Sequence, residues 1–467
     1  MAAAFVVLGR TDEKRAPVFR PAAPVVVLVC LVLTAAGPAW AQTGLPADWQ
    51  RGANFTSWWH DTYETPQAAR RLEALRATGT THVEMLTTWY MDRRDSTQVQ
   101  PDPLKTPSDA GIATLANRAR QLGMRVAIKP HVDLRDGTFR GDIAPSDPGA
   151  WFASYRAMLA HYAELARSVG ADMLVIGTEL TSMSEHTDQW RSLIADVRAR
   201  FGGALTFAAN WTDGARRIAF WQDLDYIGID AYMPLVSNEP NPSVDSLTRS
   251  FCNTQTSLAG TRRYVAETQE LHRKFARPIL LTEAGYRSQL WTASKPWTDT
   301  GGEPSREAQQ QAYEAAYRVW SRVPWVKGMY WWDWSAAGEG GGDPSYTPAG
   351  KPAEVTMRAW NANTAPAPTA DPCTKPRRPR LTLRWKRKLS GTLRQGRSGC
   401  PQRVLVQIRR RVGSGWRPGL RLFAGARASG RFSVAPRLRS GRYRARALAV
   451  GTPCGSAKSR YVRFRVR

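Results

Sequence analysis

The sequence predicts a parallel α/β barrel, a (β/α)8 TIM barrel, followed by a small all-β domain of Ig-like sandwich type. Between residues 51 and 360 short apolar runs alternate with helix-period stretches, and eight such runs can be counted. Beyond residue 380 the hydrophobic period falls to two, as half-buried antiparallel strands require. At 467 residues the chain is longer than one core usually fills, so a large and a small domain are expected.

In chain order, residues 1–41 read as an export signal. Arg10, Lys14, Arg15 and Arg20 precede an apolar run over 25–36, and Ala39-Trp40-Ala41 offers small residues for cleavage. The run is too short for a permanent span, although the basic stretch before it is longer than usual and leaves an uncleaved anchor as the alternative. The expected destination is secreted, with possible retention at the cell surface, and no stable membrane span once the signal is gone.

Residues 42–363 carry the barrel. The eight runs fall at 51–58, 80–87, 125–132, 173–179, 204–210, 224–232, 278–283 and 326–332, and several are apolar throughout, which suits strands buried on both faces. Helices are expected at 66–77, 108–122, 148–169, 187–201, 243–275 and 305–323, with Ser108 or Asp109 and Ser305 as caps. A doubly wound sheet is the alternative, but no glycine-rich phosphate loop follows the first run.

Residues 364–379 are rich in Pro, Ala and Thr and read as a semi-rigid linker. In 380–467 alternating strands are expected at 381–389, 403–410, 431–435, 442–450 and 461–466. The charge divides at the same boundary. From 371 onward there are 28 Lys and Arg against one acid, Asp371, whereas the rest holds 66 − 28 = 38 basic and 39 − 1 = 38 acidic residues. The high pI therefore belongs to the tail, and nucleic-acid binding by the whole protein is not implied. An anionic cell-surface polymer is the expected partner of the tail; solvated strand faces with a compositional Arg bias are the alternative. Removal of Cys30 with the signal leaves Cys252, Cys373, Cys400 and Cys454, an even number suited to disulfides. The expected pairs are Cys400 with Cys454 and Cys252 with Cys373. No C-x-x-C or H-E-x-x-H spacing occurs, and neither metal nor cofactor is called for; a monomer is expected.

Catalytic groups of a barrel enzyme stand at the C-terminal ends of its strands. Glu179 ends the fourth run in VIGTEL and Glu283 the seventh in ILLTEAGY. A carboxylate closing an apolar strand is costly without a partner or a purpose. Two on opposite sides of one barrel mouth match the needs of glycosidic hydrolysis, one to protonate the leaving oxygen and one to attack the anomeric carbon. A structural ion pair is the reading each would have alone.

The segments IKPHVD, WFASYRAMLAHYAELA, IGTEL, IGIDAYMP, LLTEAGY and GMYWWDW, in this order, resemble glycoside hydrolase family 113 of clan A, whose characterised members are β-mannanases. The resemblance implies a retaining enzyme, Glu179 as acid/base and Glu283 as nucleophile, with a β-linked polysaccharide as substrate and endo-1,4-β-mannanase as the leading activity. It implies further that Tyr232 bonds Glu283 and that Trp332 floors the cleaved-sugar subsite. Many clan members place Asn before the acid/base; here Thr178 stands there, and Asn210 is the nearest replacement amide. Lys129 and His131 end the third run and are candidates to bind sugar hydroxyls or tune the acid/base, while Asp230 and Asp333 read as residues ordering the shell. Sixteen of nineteen tryptophans lie between Trp49 and Trp360, and sugar rings pack on aromatic faces. Trp58, Trp89 and Trp334 join Trp332 as expected platforms, with Trp59 and Trp211 also at run ends. Segments 92–106, 135–148, 287–304 and 336–347 are expected to wall the cleft. A non-catalytic carbohydrate-binding barrel anchored by its basic domain, and a hydrolase of another β-glycan, remain the alternatives.

Overall fold

The apolar runs fold as eight strands: β1 (Gln50–Thr56), β2 (His82–Met91), β3 (Arg125–Leu134), β4 (Met173–Thr178), β5 (Ala204–Asn210), β6 (Ile227–Asp230), β7 (Ile279–Ala284) and β8 (Val326–Ser335). All pair in parallel in sequence order, and β1 pairs with both β2 and β8, so the sheet closes on itself. Closure leaves these strands no free edge, the condition for a barrel buried inside and out. The computed structural model describes residues 44–298, 301–338, 344–365, 373, 380–386, 388–394, 403–425, 431–449 and 457–466. The expected export signal, most of the linker, Cys400 and Cys454 lie outside these residues.

Around the strands run α1 (Pro66–Ala77), α2 (Asp109–Gln121), α3 (Pro148–Ser168), α4 (Thr187–Arg200), α5 (Trp211–Arg217), α6 (Val244–Cys252), α7 (Tyr264–Phe275), α8 (Arg306–Trp320) and α9 (Pro352–Asn361). Local chemistry sets their starts. The Ser108 and Ser305 hydroxyls accept from the backbone N–H of Gly111 and Ala308, and Thr65 and Asp147 cap α1 and α3 just ahead of a proline. The single helix expected over 243–275 is instead two, α6 and α7, separated by a hairpin of Thr254–Thr256 and Gly260–Arg262. Two β-branched threonines and Gly260 at φ +65° favour the turn. Arg262 then pairs with Asp213 at 2.6 Å and Glu267 at 2.7 Å, contacts a continuous helix would not offer.

The barrel interior is layered. At the bottom the Tyr330 ring lies directly over Gly52, where any Cβ would sit 2.3 Å from the ring, and its hydroxyl donates to Gln50 at 2.6 Å. Toward the C-terminal ends the filling turns polar, with Glu84, Lys129 and Asp230 all fully buried. The helix layer encloses the main apolar core, and a second, separate core forms under Leu389, Val404, Val406, Ile408, Phe432, Ala445 and Ala447 in the C-terminal region. There a four-stranded antiparallel sheet and a five-stranded antiparallel sheet make an all-β unit. One strand not expected from sequence, Gly415–Gly425, pairs with Arg403–Val412 across the turn at Gly413. Cys252 and Cys373 form the expected disulfide, joining residues 121 apart.

Candidate active site

The end of β4 is held in an unusual conformation. Glu179 has φ +54°, a left-handed setting that costs a non-glycine residue about 1 kcal/mol or more. Its N–H bonds the Ala208 carbonyl of β5 at 2.7 Å and its own carbonyl accepts from Thr181 at 2.7 Å, which fixes the turn. Backbone strain of this kind concentrates where a side chain must be aimed. The Glu179 carboxylate faces Arg140, from the segment after β3, with Nη1 to Oε2 at 3.3 Å. Arg140 also pairs with Asp133 and donates from Nε to the Val132 carbonyl. Burial pushes the Glu179 carboxyl up to about 7; Arg140 opposes the rise, and the charge of Glu283 adds to it.

Glu283, on β7, is held from two sides. Lys129 Nζ stands 2.8 Å from Oε1 and the Tyr232 hydroxyl donates to Oε2 at 2.7 Å. Lys129 itself has no exposed surface and also meets Glu84 at 3.4 Å, Asp230 at 3.5 Å and the Thr282 carbonyl at 3.2 Å. One ammonium thus stands among three buried carboxyls, with charge enough to balance one of them. Burial is the largest influence on each remaining member: it raises Glu84 to about 7 and Asp230 well above the usual range, with Lys129 pulling both back. The facing acids outweigh desolvation at Lys129 and hold its pKa above the ordinary lysine value. Lys129 was a sugar-contact candidate; its position is a correction, because a side chain sealed inside the barrel serves Glu283 as counter-charge instead.

Of the other expected residues, His131, Tyr232, Trp332 and Trp58 come together around the carboxylates. The His131 ring lies flat on Trp332, centroids 6.1 Å apart and planes 5° apart, with Nε2 3.7 Å from Glu283 Oε1. Burial, with Arg140 and Lys129 nearby, lowers the His131 pKa well below normal, so the imidazole is neutral. Trp58 meets Trp332 edge-on at 6.3 Å and is 40% exposed, leaving aromatic surface open to a ligand. Thr178 is buried, with a hydroxyl that finds no partner among the described residues. Asn210 ends β5 opposite Asp230, half-buried, and its side chain makes no capping bond to α5. Asp333 accepts from Thr56 at 2.7 Å, an ordering contact between β8 and β1.

Trp89 and Trp334 are corrections. Trp89 shares its strand face with Thr87, and both bond the Tyr162 hydroxyl of α3, so the indole points to the helix layer. Trp334 is buried, donates to the Arg71 carbonyl of α1 and has the Arg71 guanidinium over its ring at 4.8 Å. Period-two alternation assigns Trp89 to the helix side of its strand; Trp334, two residues after Trp332, reaches that side because the β1–β8 register shifts between Trp331 and Trp334.

Sequence reasoning missed Arg140 and Glu84. Arg140 opens a single 3-10 turn, Arg140–Asp142, too short to leave a periodic signal. Glu84, a charge in the middle of the apolar run HVEML, was visible but is not at a strand end. Further aromatic surface comes from Trp211 packed on Trp297 at 4.9 Å, Trp297 being 40% exposed, and from Tyr346, edge-on to Tyr232.

Comparison with known proteins supports this site's setting. No curated protein matches the chain. Among solved structures, the GH113 β-mannanase AaManA from Alicyclobacillus acidocaldarius is 28% identical, with a TM-score of 0.60 over 70% of this chain and 100% of that one. A GH113 β-1,4-mannanase complex is 24% identical with a TM-score of 0.58 over 67% and 99%, a likeness of fold. The family model for Glycoside Hydrolase Family 113 matches residues 55–350, the segment holding both carboxylates and every group that faces them, and to that family of glycoside hydrolases the chain belongs.

Proposed function

We infer that the protein is a secreted retaining endo-1,4-β-mannanase in which Glu283 is the nucleophile and Glu179 the general acid/base. The observation that carries this is the unequal treatment of the two carboxyls. Glu283 lies between an ammonium and a phenol, a setting for an anion poised to attack, whereas burial lifts Glu179 to about 7, where it can still carry a proton. The likeness to a GH113 β-mannanase at 28% identity supports the choice of sugar.

The chemistry follows from these settings. Glu283 attacks the anomeric carbon while the Glu179 proton passes to the leaving oxygen, giving a glycosyl ester. Esterification removes the Glu283 charge, one of the causes that raises Glu179, so Glu179 is then better able to lose a proton. In that form it draws a proton from water, which attacks the ester and returns Glu283 free. Tyr232 and Lys129 supply the hydrogen bond and counter-charge that the departing carboxylate needs. The Trp332 face, backed by His131, and the exposed part of Trp58 offer packing for the sugar ring.

The test is a substrate panel of mannan, glucomannan, galactan and β-glucan, with the anomer first released read by NMR. Mannan cleavage into oligosaccharides of β configuration is expected. Release of the α anomer first would overturn retention, and faster cleavage of galactan or β-glucan would overturn the substrate. Thr178, in place of the clan's Asn, favours a second reading, a barrel that binds glycan without cutting it; in that case Glu283→Ala leaves both affinity and the absence of released sugar unchanged.

A further inference from the structure

The five-stranded sheet of the C-terminal unit has two unlike faces. Alternate residues Val404, Val406, Ile408, Ala445 and Ala447 are buried in its core. On the other face Leu405 stands opposite Leu448 and Gln407 opposite Arg446, and beyond them arginines stand opposite one another. Arg409, Arg444 and Arg463 form one row across three strands, and Arg442 with Arg465 begins a parallel row. Strands lie about 4.8 Å apart, so each row presents guanidinium stems at that spacing. Like charges directly opposed across strands are destabilising, and no Asp or Glu occurs anywhere in residues 372–467 to relieve them. Rows of like charge with no acid to relieve them suit an extended polyanion.

The chemistry of this face distinguishes among polyanions. Two of the aromatic rings among the arginines are already covered: the Arg444 guanidinium lies 4.8 Å from the Trp416 ring and 4.5 Å from Tyr461, and Arg446 lies 5.2 Å from Tyr461; Phe423, 68% exposed at the Leu405 end of the face, is an open ring but no run of platforms. Capped rings are poor stacking platforms for bases. A broad sheet, moreover, does not enter a major groove as a helix or two-stranded ribbon does. A planar fork of guanidinium donors matches a carboxylate bidentately, and the rest of the chain belongs to a family that acts on glycans. We propose that this arginine face docks a carboxylated polysaccharide, holding the enzyme on a uronate-bearing matrix independently of the barrel's own substrate.

The experiment measures retention of the full-length protein on immobilised polygalacturonate, on its methyl-esterified form, on duplex DNA and on anionic vesicles at increasing salt. The expected result is binding to polygalacturonate that weakens with salt, little binding to the ester, and a loss of about tenfold or more for Arg409→Ser/Arg444→Ser/Arg463→Ser, while hydrolysis of soluble substrate is unchanged. Should the triple variant fail to fold, Arg442→Ser/Arg465→Ser, at two exposed positions, is expected to lower retention in the same direction. Equal or stronger binding to DNA or vesicles, binding that survives esterification, no binding to polygalacturonate, or wild-type retention by folded variants would each overturn the proposal.

Discussion

Charge is handled in opposite ways in the two folded regions. Inside the barrel Lys129 has no exposure at all, and each of its partners is an acid or a carbonyl within 3.5 Å. On the outer face of the C-terminal sheet, arginines lie across from arginines, with no acid in that part of the sequence. The difference is one of solvent. A charge taken out of water must be matched within a few ångströms, while water and salt allow unmatched charges to remain on a surface, at small cost, until a partner arrives. Removing a single charge should therefore have large effects in the first region and small ones in the second.

The largest effects belong to the carboxylates themselves. Glu283→Ala is expected to lower kcat by about 10⁴-fold or more, since no bond to the anomeric carbon can form, and Glu179→Gln by about 10²–10⁴-fold. The Glu179→Gln loss should shrink for an aryl glycoside whose leaving group departs without a proton. Steady-state assays on both substrates check this, and equal losses on both would remove Glu179 from the acid's role.

Next is Lys129→Met, which leaves Glu84, Asp230 and Glu283 facing one another unrelieved. A loss of about 3–5 kcal/mol in unfolding free energy is expected at pH 8. The sign with pH follows from the acids. Glu84 and Asp230 are already raised in the folded state, and loss of the ammonium raises them further, so the folded variant takes up protons as pH falls. The defect should thus be smaller at pH 5 than at pH 8. Denaturant titrations at both values decide it, and a defect that grows on acidification would refute the assignment of Lys129 as counter-charge.

Arg140→Met touches the same balance through Glu179. Arg140 favours the ionised form, so its removal raises the carboxyl above its present value of about 7, and the alkaline limb of the kcat/KM profile should move up, by about one pH unit. A limb that stays in place or moves down would show that another group governs it.

The sequence was most informative where a physical rule has one outcome. Eight apolar runs, five of the six helical stretches and two strand-end glutamates follow from burial and alternation, and all eight strands form close to their expected bounds. It was less informative where a side chain has two faces to choose from. Trp89 and Trp334 end apolar strands as Trp332 does, but alternation turns Trp89 to the helices, and a register shift between Trp331 and Trp334, which no periodicity announces, turns Trp334 there as well. Arg140 lies in a loop whose path is set by tertiary contacts, one arginine among many. The Gly415–Gly425 strand was hidden by Pro418 and three glycines, residues tolerated because it is an edge strand with a register shift at that point.

The smallest expected effect tests the other side of the comparison. Arg442 is exposed and lies opposite Arg465 across the strand pair. Arg442→Thr removes one member of a like-charge pair and supplies a β-branched residue to a strand, so stability should rise slightly, within about 0.5 kcal/mol. Two contributions can be told apart by salt. Relief of repulsion fades as the Debye length falls from about 30 Å at 0.01 M to about 3 Å at 1 M, whereas strand propensity does not. A gain in thermal midpoint present at low salt and reduced at 1 M would assign it to charge; a loss at both would mean that the Arg442 stem contributes packing, and that this face is less indifferent to its arginines than its exposure implies.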